Sequence, residues 1–493
     1  MMKAQTNIHI VGSGVAGIAA SIRLALKGHK VTVFERHDKV GGKLDEFQEK
    51  GYRFDMGPSL LTKPYLIDEL FELAGRKSTF KYQQLPIVCK YFFDDATKLN
   101  AYAESEKFAN EVEEKLGVPA DVISDYLKYS QNIDQNVGDI FLTKSLHKLE
   151  TFLDPKVLKA LVRTPQFDVF TSMHEANERR LKHPKLVQLF DRYATYNGSN
   201  PYKAPGILNI IPSLEFTEGA FFPLHGMRDI VNQLHELATS LGVEFKLNEG
   251  VDEILLSNNK VISVKTDKDE YTTDAVFSNM DVYPTYRKLL PKAKAPEKAL
   301  AQERSSSGLI FYWGMKGLKS ELDVHNIFFS IDYKDEFDHL FEYKKVTDDP
   351  TVYVHISSKE VASDAPVNSE NWFVMINVPA NNGTQDWDEV IQRSRKNIIQ
   401  KLEKSLGYNI ADHIEVERIL DPRSIEQNTA SWQGALYGSS SNDRMAAFLR
   451  HPNFSSKIKG LYFCGGSVHP GGGIPLCLLS AKVSTDIALK EYL

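Results

Sequence analysis

The sequence has few cysteines, no excess of positive charge and no long apolar run. Its 493 residues hold three cysteines, Cys89, Cys464 and Cys477. This odd count without a C-x-x-C pair predicts neither a disulfide framework nor a metal site, and fits a reducing compartment. A net charge of −6 at pH 7 argues against nucleic acid as a partner. No segment reaches the roughly 20 apolar residues of a membrane span, so we expect a soluble or peripheral protein made in the cytoplasm.

The composition is that of a globular protein, with 42% hydrophobic and 25% charged residues. A chain of this length exceeds the size at which single cores divide, which predicts two or more domains. No internal repeat or low-complexity segment interrupts it.

An N-terminal glycine motif predicts a dinucleotide-binding unit. Residues 8–11 form an apolar strand pattern, Gly12, Gly14 and Gly17 follow it, and a helical pattern then leads to a second strand that ends at Glu35. The glycines allow a tight turn, close approach to a pyrophosphate and helix–strand packing, and the acid is placed for ribose hydroxyls. An ordinary glycine-rich turn would not explain the position of Glu35.

A second glycine-rich stretch lies at the other end of the chain. Residues 461–464 read as a buried strand, followed by five glycines, two prolines and His469 before a helical run from Leu476. Glycine lets a backbone approach a flat ligand closely. We therefore predict a cofactor platform here.

The pair Gly41-Gly42 followed by Lys43 resembles the flavin proteins of the amine oxidase and protoporphyrinogen oxidase superfamily. That resemblance implies FAD, with this stretch along its phosphates and ribityl chain. A solvated surface lysine is the alternative for Lys43 alone. The predicted cofactor-binding residues are Gly12, Gly14, Val15, Ala16, Gly17, Glu35, Arg36, Gly41, Gly42, Lys43, Gly57, Pro58, Ser59, Val251, Gly465, Gly466, Gly473, Ile474 and Pro475.

Four motifs together, at residues 12–17, 41–43, 54–59 and 465–479, resemble the bacterial carotenoid desaturases of the phytoene-desaturase type. Residues 41–44 and 89–92 look more like the hydroxycarotenoid 3,4-desaturases. The resemblance implies an FAD-dependent desaturase that takes hydride from a carotenoid onto flavin, with the cation delocalised along the polyene before a proton is lost. Such chemistry needs few polar catalytic groups.

The predicted fold class is α/β. A Rossmann-like FAD-binding domain would comprise residues 1–75, 222–290 and 425–493, and a mixed-sheet substrate domain residues 76–106 and 291–424. A helical subdomain at 107–221 would provide a possible membrane contact. Within the first domain we expect strands at 243–247 and 251–254 in one sheet, and a hairpin of 261–266 with 271–277.

Three residues are catalytic candidates. His469 adjoins the glycine platform, although a histidine satisfied by loop carbonyls is equally consistent. Asp191 and Arg192, with Tyr196 nearby, are polar groups in an apolar neighbourhood that could accept the lost proton or hold a terminal hydroxyl. A domain-interface salt bridge is the alternative for Asp191 and Arg192. Aromatic residues at 311–313 and 328–329 are candidate tunnel lining or ordinary strand core.

A carotenoid substrate resides in the bilayer, so a peripheral contact on the inner face of the cell membrane is expected. Residues 146–170 mix apolar and basic side chains in the required way, although an amphipathic helix packed on its own domain would look the same. The oligomeric state stays open.

Other functions remain open at this stage. Phytoene desaturation, or isomerisation or saturation of a polyene, would use the same branch. An oxygen-using amine or protoporphyrinogen oxidase would lack the run at 469–475, and a flavin-free lipid-escort protein would not need the N-terminal glycines.

Overall fold

The computed structural model describes residues 6–443 and 450–493. A five-stranded parallel sheet contains strands from both ends and the middle of the chain, and their buried apolar side chains contribute to one core. Helices Val15–Ala25 and Ile474–Glu491 contact each other against this sheet. The strand order is Leu461–Phe463, Ala275–Ser278, Asn7–Val11, Lys30–Phe34 and Glu244–Lys246.

Two predictions about the middle of the chain were wrong. Strand Val251–Ser257 does not continue the parallel sheet but pairs antiparallel with Lys260–Thr266 in a separate three-stranded sheet. The expected second hairpin strand divides: Glu270–Thr272 completes the small sheet, whereas Ala275–Ser278 joins the parallel one. The reason is burial, since all four residues of the latter strand are buried.

A seven-stranded mixed sheet forms the second layer. Strand Ser307–Met315 lies inside it with every residue buried, and helix Trp387–Leu406 adds apolar residues to the same core. The strand order is Ile414–Leu420, Ser307–Met315, Glu370–Val378, Val352–His355, His325–Phe328, Ile87–Phe92 and Lys98–Tyr102.

Helices fill most of the chain between these sheets, as the sequence predicts. The helices from residue 105 to 216 are Ser105–Leu116, Ala120–Ile133, Asp139–Thr143, Pro155–Arg163, Met173–Leu181, Pro184–Asp191 and Ile211–Phe216. The remaining helices of eight or more residues are Tyr65–Leu73, Arg228–Ser240 and Pro422–Thr429. Paired strands Glu46–Glu49 with Tyr52–Asp55, and Tyr82–Gln84 with Phe221–Pro223, connect the layers.

The mixed α/β architecture of the predicted fold class is confirmed, and the domain boundaries stay a prediction. Among the described residues, no helix combines the length and apolar character needed to cross a membrane.

Candidate active site

A cavity of about 960 Å³ extends from the parallel sheet to the seven-stranded sheet and the helical segment. Its first part, the cofactor half, is lined by the glycine motifs near both chain ends. Its second part, the substrate half, is lined by side chains such as Arg192, Glu215 and Phe373. One continuous space thus joins residues more than 400 positions apart in sequence.

The structure gathers the predicted cofactor residues in the cofactor half. Gly17 alone among them does not line the cavity, because it packs beneath the turn, where a Cβ would lie 2.3 Å from the Gly12 carbonyl oxygen. The lining includes Gly12, Gly14, Val15, Ala16, Glu35, Arg36, Gly41, Gly42, Lys43, Gly57, Pro58, Ser59, Val251, Gly465, Gly466, Gly473, Ile474 and Pro475.

Two helix N-termini lie at this half of the cavity. Gly14 caps the first helix and Gly473 the last, and neither helix receives a side-chain cap. Their first backbone N–H groups therefore remain available to an anionic or polar ligand. A Cβ on Gly473 would meet no atom of the described residues within 4 Å, so the backbone faces open space among them, at a φ of +106° that favours glycine.

Glu35 is buried and fixed in orientation. Its Oε2 accepts hydrogen bonds from the Ser13 backbone N–H at 3.0 Å and the Ser13 hydroxyl at 2.7 Å, and its Oε1 accepts one from the His37 N–H at 3.0 Å. A carboxylate has about four acceptor sites, so one remains for a ribose hydroxyl.

Lys43 is anchored rather than solvated. Its Nζ donates to the Leu436 carbonyl oxygen at 2.9 Å. Burial lowers the pKa of its ammonium group, because removal from water disfavours the charged form. Gly57 packs against the backbone of Lys43, since a Cβ there would lie 2.0 Å from the Lys43 carbonyl oxygen.

The sequence did not single out Asn279, which lies between the N-terminal glycine motif and the C-terminal glycine platform. A Cβ on Gly14, Gly17 or Gly465 would come within 3.0 Å of its side chain, and its Nδ2 donates to the Cys464 carbonyl oxygen at 3.1 Å. Asn279 directly follows a parallel strand, as Glu35 does. A polar residue at the carboxyl end of such a strand was the available signal.

Of the catalytic candidates, His469 and Asp191 do not line the cavity. His469 is buried and its Nε2–H donates to the Lys144 carbonyl oxygen at 2.9 Å, the arrangement named above as the alternative. Burial lowers its pKa to about 4. Asp191 pairs with His174 at 2.6 Å and accepts from Asn177 at 2.8 Å, so its ion pair is with histidine and not with Arg192.

Arg192 does line the cavity, within a polar cluster of five residues. Its Nη2 donates to the Tyr91 hydroxyl at 2.8 Å and its Nη1 to the Tyr196 hydroxyl at 3.3 Å. The hydroxyls of Tyr196 and Tyr193 both donate to Glu215. We call Arg192, Tyr91, Tyr193, Tyr196 and Glu215 the tyrosine cluster. Sequence reasoning missed Glu215, although an acid among the apolar residues 210–216 was a visible signal.

Most of the remaining wall of the substrate half is apolar, with His325, Thr351 and Tyr353 among its polar exceptions. The aromatic residues that the sequence suggested do not form this wall. Phe311 and Trp313 belong to the core of the seven-stranded sheet, and Phe328 lies in the same core. Ile310 and Ile327, which precede Phe311 and Phe328 in their strands, point to the other face of the sheet and line the cavity instead. The apolar lining of this half includes Leu60, Val88, Leu214, Ile310, Ile327, Phe373 and Met375.

Comparison with known families gives a match to the flavin-containing amine oxidoreductases over residues 15–316, more than half of the chain. The chain belongs to this family. Its fold agrees, since a putrescine oxidase structure aligns with a TM-score of 0.66 at 13% identity over 99% of both chains. An oxidoreductase from Methanosarcina mazei aligns with a TM-score of 0.65 at 13% identity, over 98% of this chain and 100% of that one.

Two relatives narrow the branch. The chain is 49% identical to a 1-hydroxycarotenoid 3,4-desaturase of Flavobacterium sp. (strain P99-3), over 97% of this chain and 98% of that one. It is 32% identical to a 4,4'-diapolycopene oxygenase of Methylomonas sp., over 97% of each chain. The resemblance to the carotenoid desaturase branch is confirmed.

The protein is therefore a flavin-containing oxidoreductase, and its cofactor is FAD. The residues present fit this group. Uncapped helix N-termini suit its pyrophosphate, Glu35 suits a ribose, and the open backbone at Gly473 leaves room for a flat ring.

Proposed function

We propose that this protein desaturates the C3–C4 bond of a 1-hydroxylated carotenoid end. The supporting observation is the continuous cavity that joins the cofactor half to a mainly apolar chamber containing the tyrosine cluster. The 49% identical relative carries the same activity in its name. Bound FAD supplies the hydride acceptor, which no side chain can provide.

The chain's own residues bind and orient the substrate and exclude water. The apolar lining excludes water from the chamber and holds a polyene by its sides. Ser59 hydrogen-bonds to the Tyr353 hydroxyl at 2.7 Å, which joins the edge of the cofactor half to the wall of the substrate half. The reacting bond would lie at this junction.

Expression in hosts that make different carotenoids tests the proposal, with products identified by absorption and mass. We expect loss of two hydrogen atoms from a 1-hydroxylated carotenoid, a longer chromophore and unchanged phytoene. Conversion of phytoene, or isomerisation without a mass change, would replace the proposal by one of the alternatives. A gain of oxygen would place the protein with the diapolycopene oxygenase activity instead.

We further propose that residues 149–170 contact the cytoplasmic face of the membrane. Leu149, Leu153 and Val162 are 86%, 78% and 79% exposed, and Phe170 is 70% exposed. Exposed Lys156, Lys159 and Arg163 lie among them. Apolar side chains beside basic ones suit an anionic lipid surface, and the three free cysteines fit the cytoplasmic side.

Sedimentation with vesicles containing anionic lipid tests this contact. Leu149→Ser combined with Val162→Ser should reduce the bound fraction several-fold, because two of the four most exposed apolar side chains of the segment are removed. Val367→Ser is the matched control, since Val367 is 91% exposed outside this segment. Equal binding of both variants would show that the segment does not contact lipid.

A further inference from the structure

Arg192 is a buried cation without an ion pair among residues 6–443 and 450–493. Only 7% of the residue is exposed, and its hydrogen bonds go to tyrosine hydroxyls. Its guanidinium also lies 4.6 Å from the Tyr193 ring centroid and 5.2 Å from that of Tyr196. Arginine stays charged in proteins, and burying a charge is costly unless other groups compensate it.

The compensation comes through a hydroxyl group. The Tyr196 hydroxyl accepts a hydrogen bond from Arg192 and donates one to Glu215, so it joins a buried cation to a buried carboxylate. Only 1% of Glu215 is exposed. A hydroxyl group fits between these two charges, because it can accept a hydrogen bond from Arg192 and donate one to Glu215 at the same time.

The cluster retains capacity for a second hydroxyl. Arg192 Nε is buried and has no hydrogen-bond partner in the described part of the chain. Each oxygen of Glu215 receives one tyrosine hydroxyl, while a carboxylate offers about four acceptor sites in total. Arg192, Tyr196 and Glu215 all line the cavity, so this unused capacity borders a mainly apolar chamber.

We propose that Arg192 and Glu215 form the specificity site for the hydroxyl group of the substrate. The Arg192 guanidinium donates to the hydroxyl oxygen, and the hydroxyl hydrogen is donated to the Glu215 carboxylate. This inference deepens the proposed function and rests on it. A substrate without the hydroxyl leaves both buried groups unpaired, which a site built to hydrogen-bond rejects strongly.

The test compares carotenoids that differ only in the end group: hydroxyl, methoxy or hydrogen. Dissociation constants and kcat/KM are measured with the flavin-loaded enzyme. Wild type should favour the hydroxylated compound over the unhydroxylated one by about 100-fold, since buried polar groups are left unpaired otherwise. The methoxy compound should fall between them, because it accepts from Arg192 but donates nothing to Glu215.

Two variants locate the preference. In Glu215→Gln and Arg192→Met, kcat/KM for the hydroxylated compound should fall by about 10- to 100-fold, with little change for the unhydroxylated one. Glu336→Gln is the matched control: Glu336 is equally buried and accepts from Ser330 and Thr351 hydroxyls, but does not line the cavity. Its selectivity should equal that of wild type.

The outcomes separate this inference from the proposed function. Conversion of hydroxylated and unhydroxylated ends with equal kcat/KM by wild type would overturn the hydroxyl site and leave the desaturase activity intact. Preferential binding of the hydroxylated compound without turnover would support the site and refute the reaction. Equal losses on both substrates in Glu215→Gln and Arg192→Met would assign the cluster a structural role only, which also overturns the inference.

Discussion

The two halves of the cavity differ in which atoms form their walls. The cofactor half consists mainly of backbone: glycines at Gly12, Gly14 and Gly473, and the N–H groups of two helix starts. The substrate half consists of side chains, apolar around most of its wall and charged at the tyrosine cluster. The cofactor half therefore fits its ligand through the space that the backbone leaves. The substrate half would select its ligand through side-chain polarity.

This difference determines how each half responds to substitution. Where backbone forms the wall, any added atom occupies ligand space or strikes a neighbouring turn. Where side chains form the wall, a change of similar shape alters which substrate is accepted while the cofactor still binds. The predictions below challenge this division, beginning with the largest expected effect.

Gly14→Val should abolish flavin binding. The new Cβ would lie 2.7 Å from Asn279 Oδ1, and a side chain larger than hydrogen would prevent the close approach of this turn to the pyrophosphate. We expect purified protein without the flavin absorbance bands. Gly28→Ala is the control, because its φ of +86° strains a side chain in the same unit but no atom lies within 4 Å of the Cβ. Flavin retained in Gly14→Val would refute the placement of the cofactor.

The cofactor half was predictable from sequence because its determinants are local. Glycine spacing, strand and acid lie within residues 8–35, and the C-terminal platform within 460–480. The tyrosine cluster combines Tyr91, Arg192 and Glu215 from separate elements, so no local spacing reveals it. Similarly, residues 271–277 alternate like one strand, and only the burial of Ala275–Ser278 against the first strand divides them.

Acidification should destabilise the whole fold, and therefore both halves of the cavity at the same time. The two halves should not differ in this response. Burial lowers the pKa of His9, His355, His451 and His469 to about 4, so the folded protein resists protonation that the unfolded chain undergoes below 6.5. Their stabilising contribution is therefore complete above pH 6.5 and is lost as pH falls toward 4. At pH 5.5 each of these histidines should lower the free energy of unfolding by roughly 1 kcal/mol relative to pH 7.

Thermal unfolding between pH 7 and pH 5.5 measures this effect. We expect a fall of several kcal/mol in the free energy of unfolding, a large share of the roughly 5–15 kcal/mol of a typical domain. His469→Gln should unfold more easily at pH 7 but with a shallower pH dependence. An unchanged slope in that variant would show that His469 does not titrate between the two states. His174 should have the opposite effect on stability. Burial lowers its pKa, but Asp191 raises that pKa by more, so the net shift is upward.

The sharpest comparison makes the same change in each half. Glu35→Gln replaces an acceptor by an amide beside three N–H or O–H donors from Ser13 and His37. One of those contacts becomes donor against donor, so flavin affinity should fall by about 10- to 100-fold, in line with 1.5–3 kcal/mol for a hydrogen bond to a charged group. Glu215→Gln should leave flavin affinity near that of wild type, because its partners belong to the tyrosine cluster. Titration of flavin-depleted protein with FAD measures both values. If both variants weakened flavin binding to the same degree, the two halves would act as one unit. The distinction between a backbone-lined cofactor half and a side-chain-lined substrate half would then be wrong.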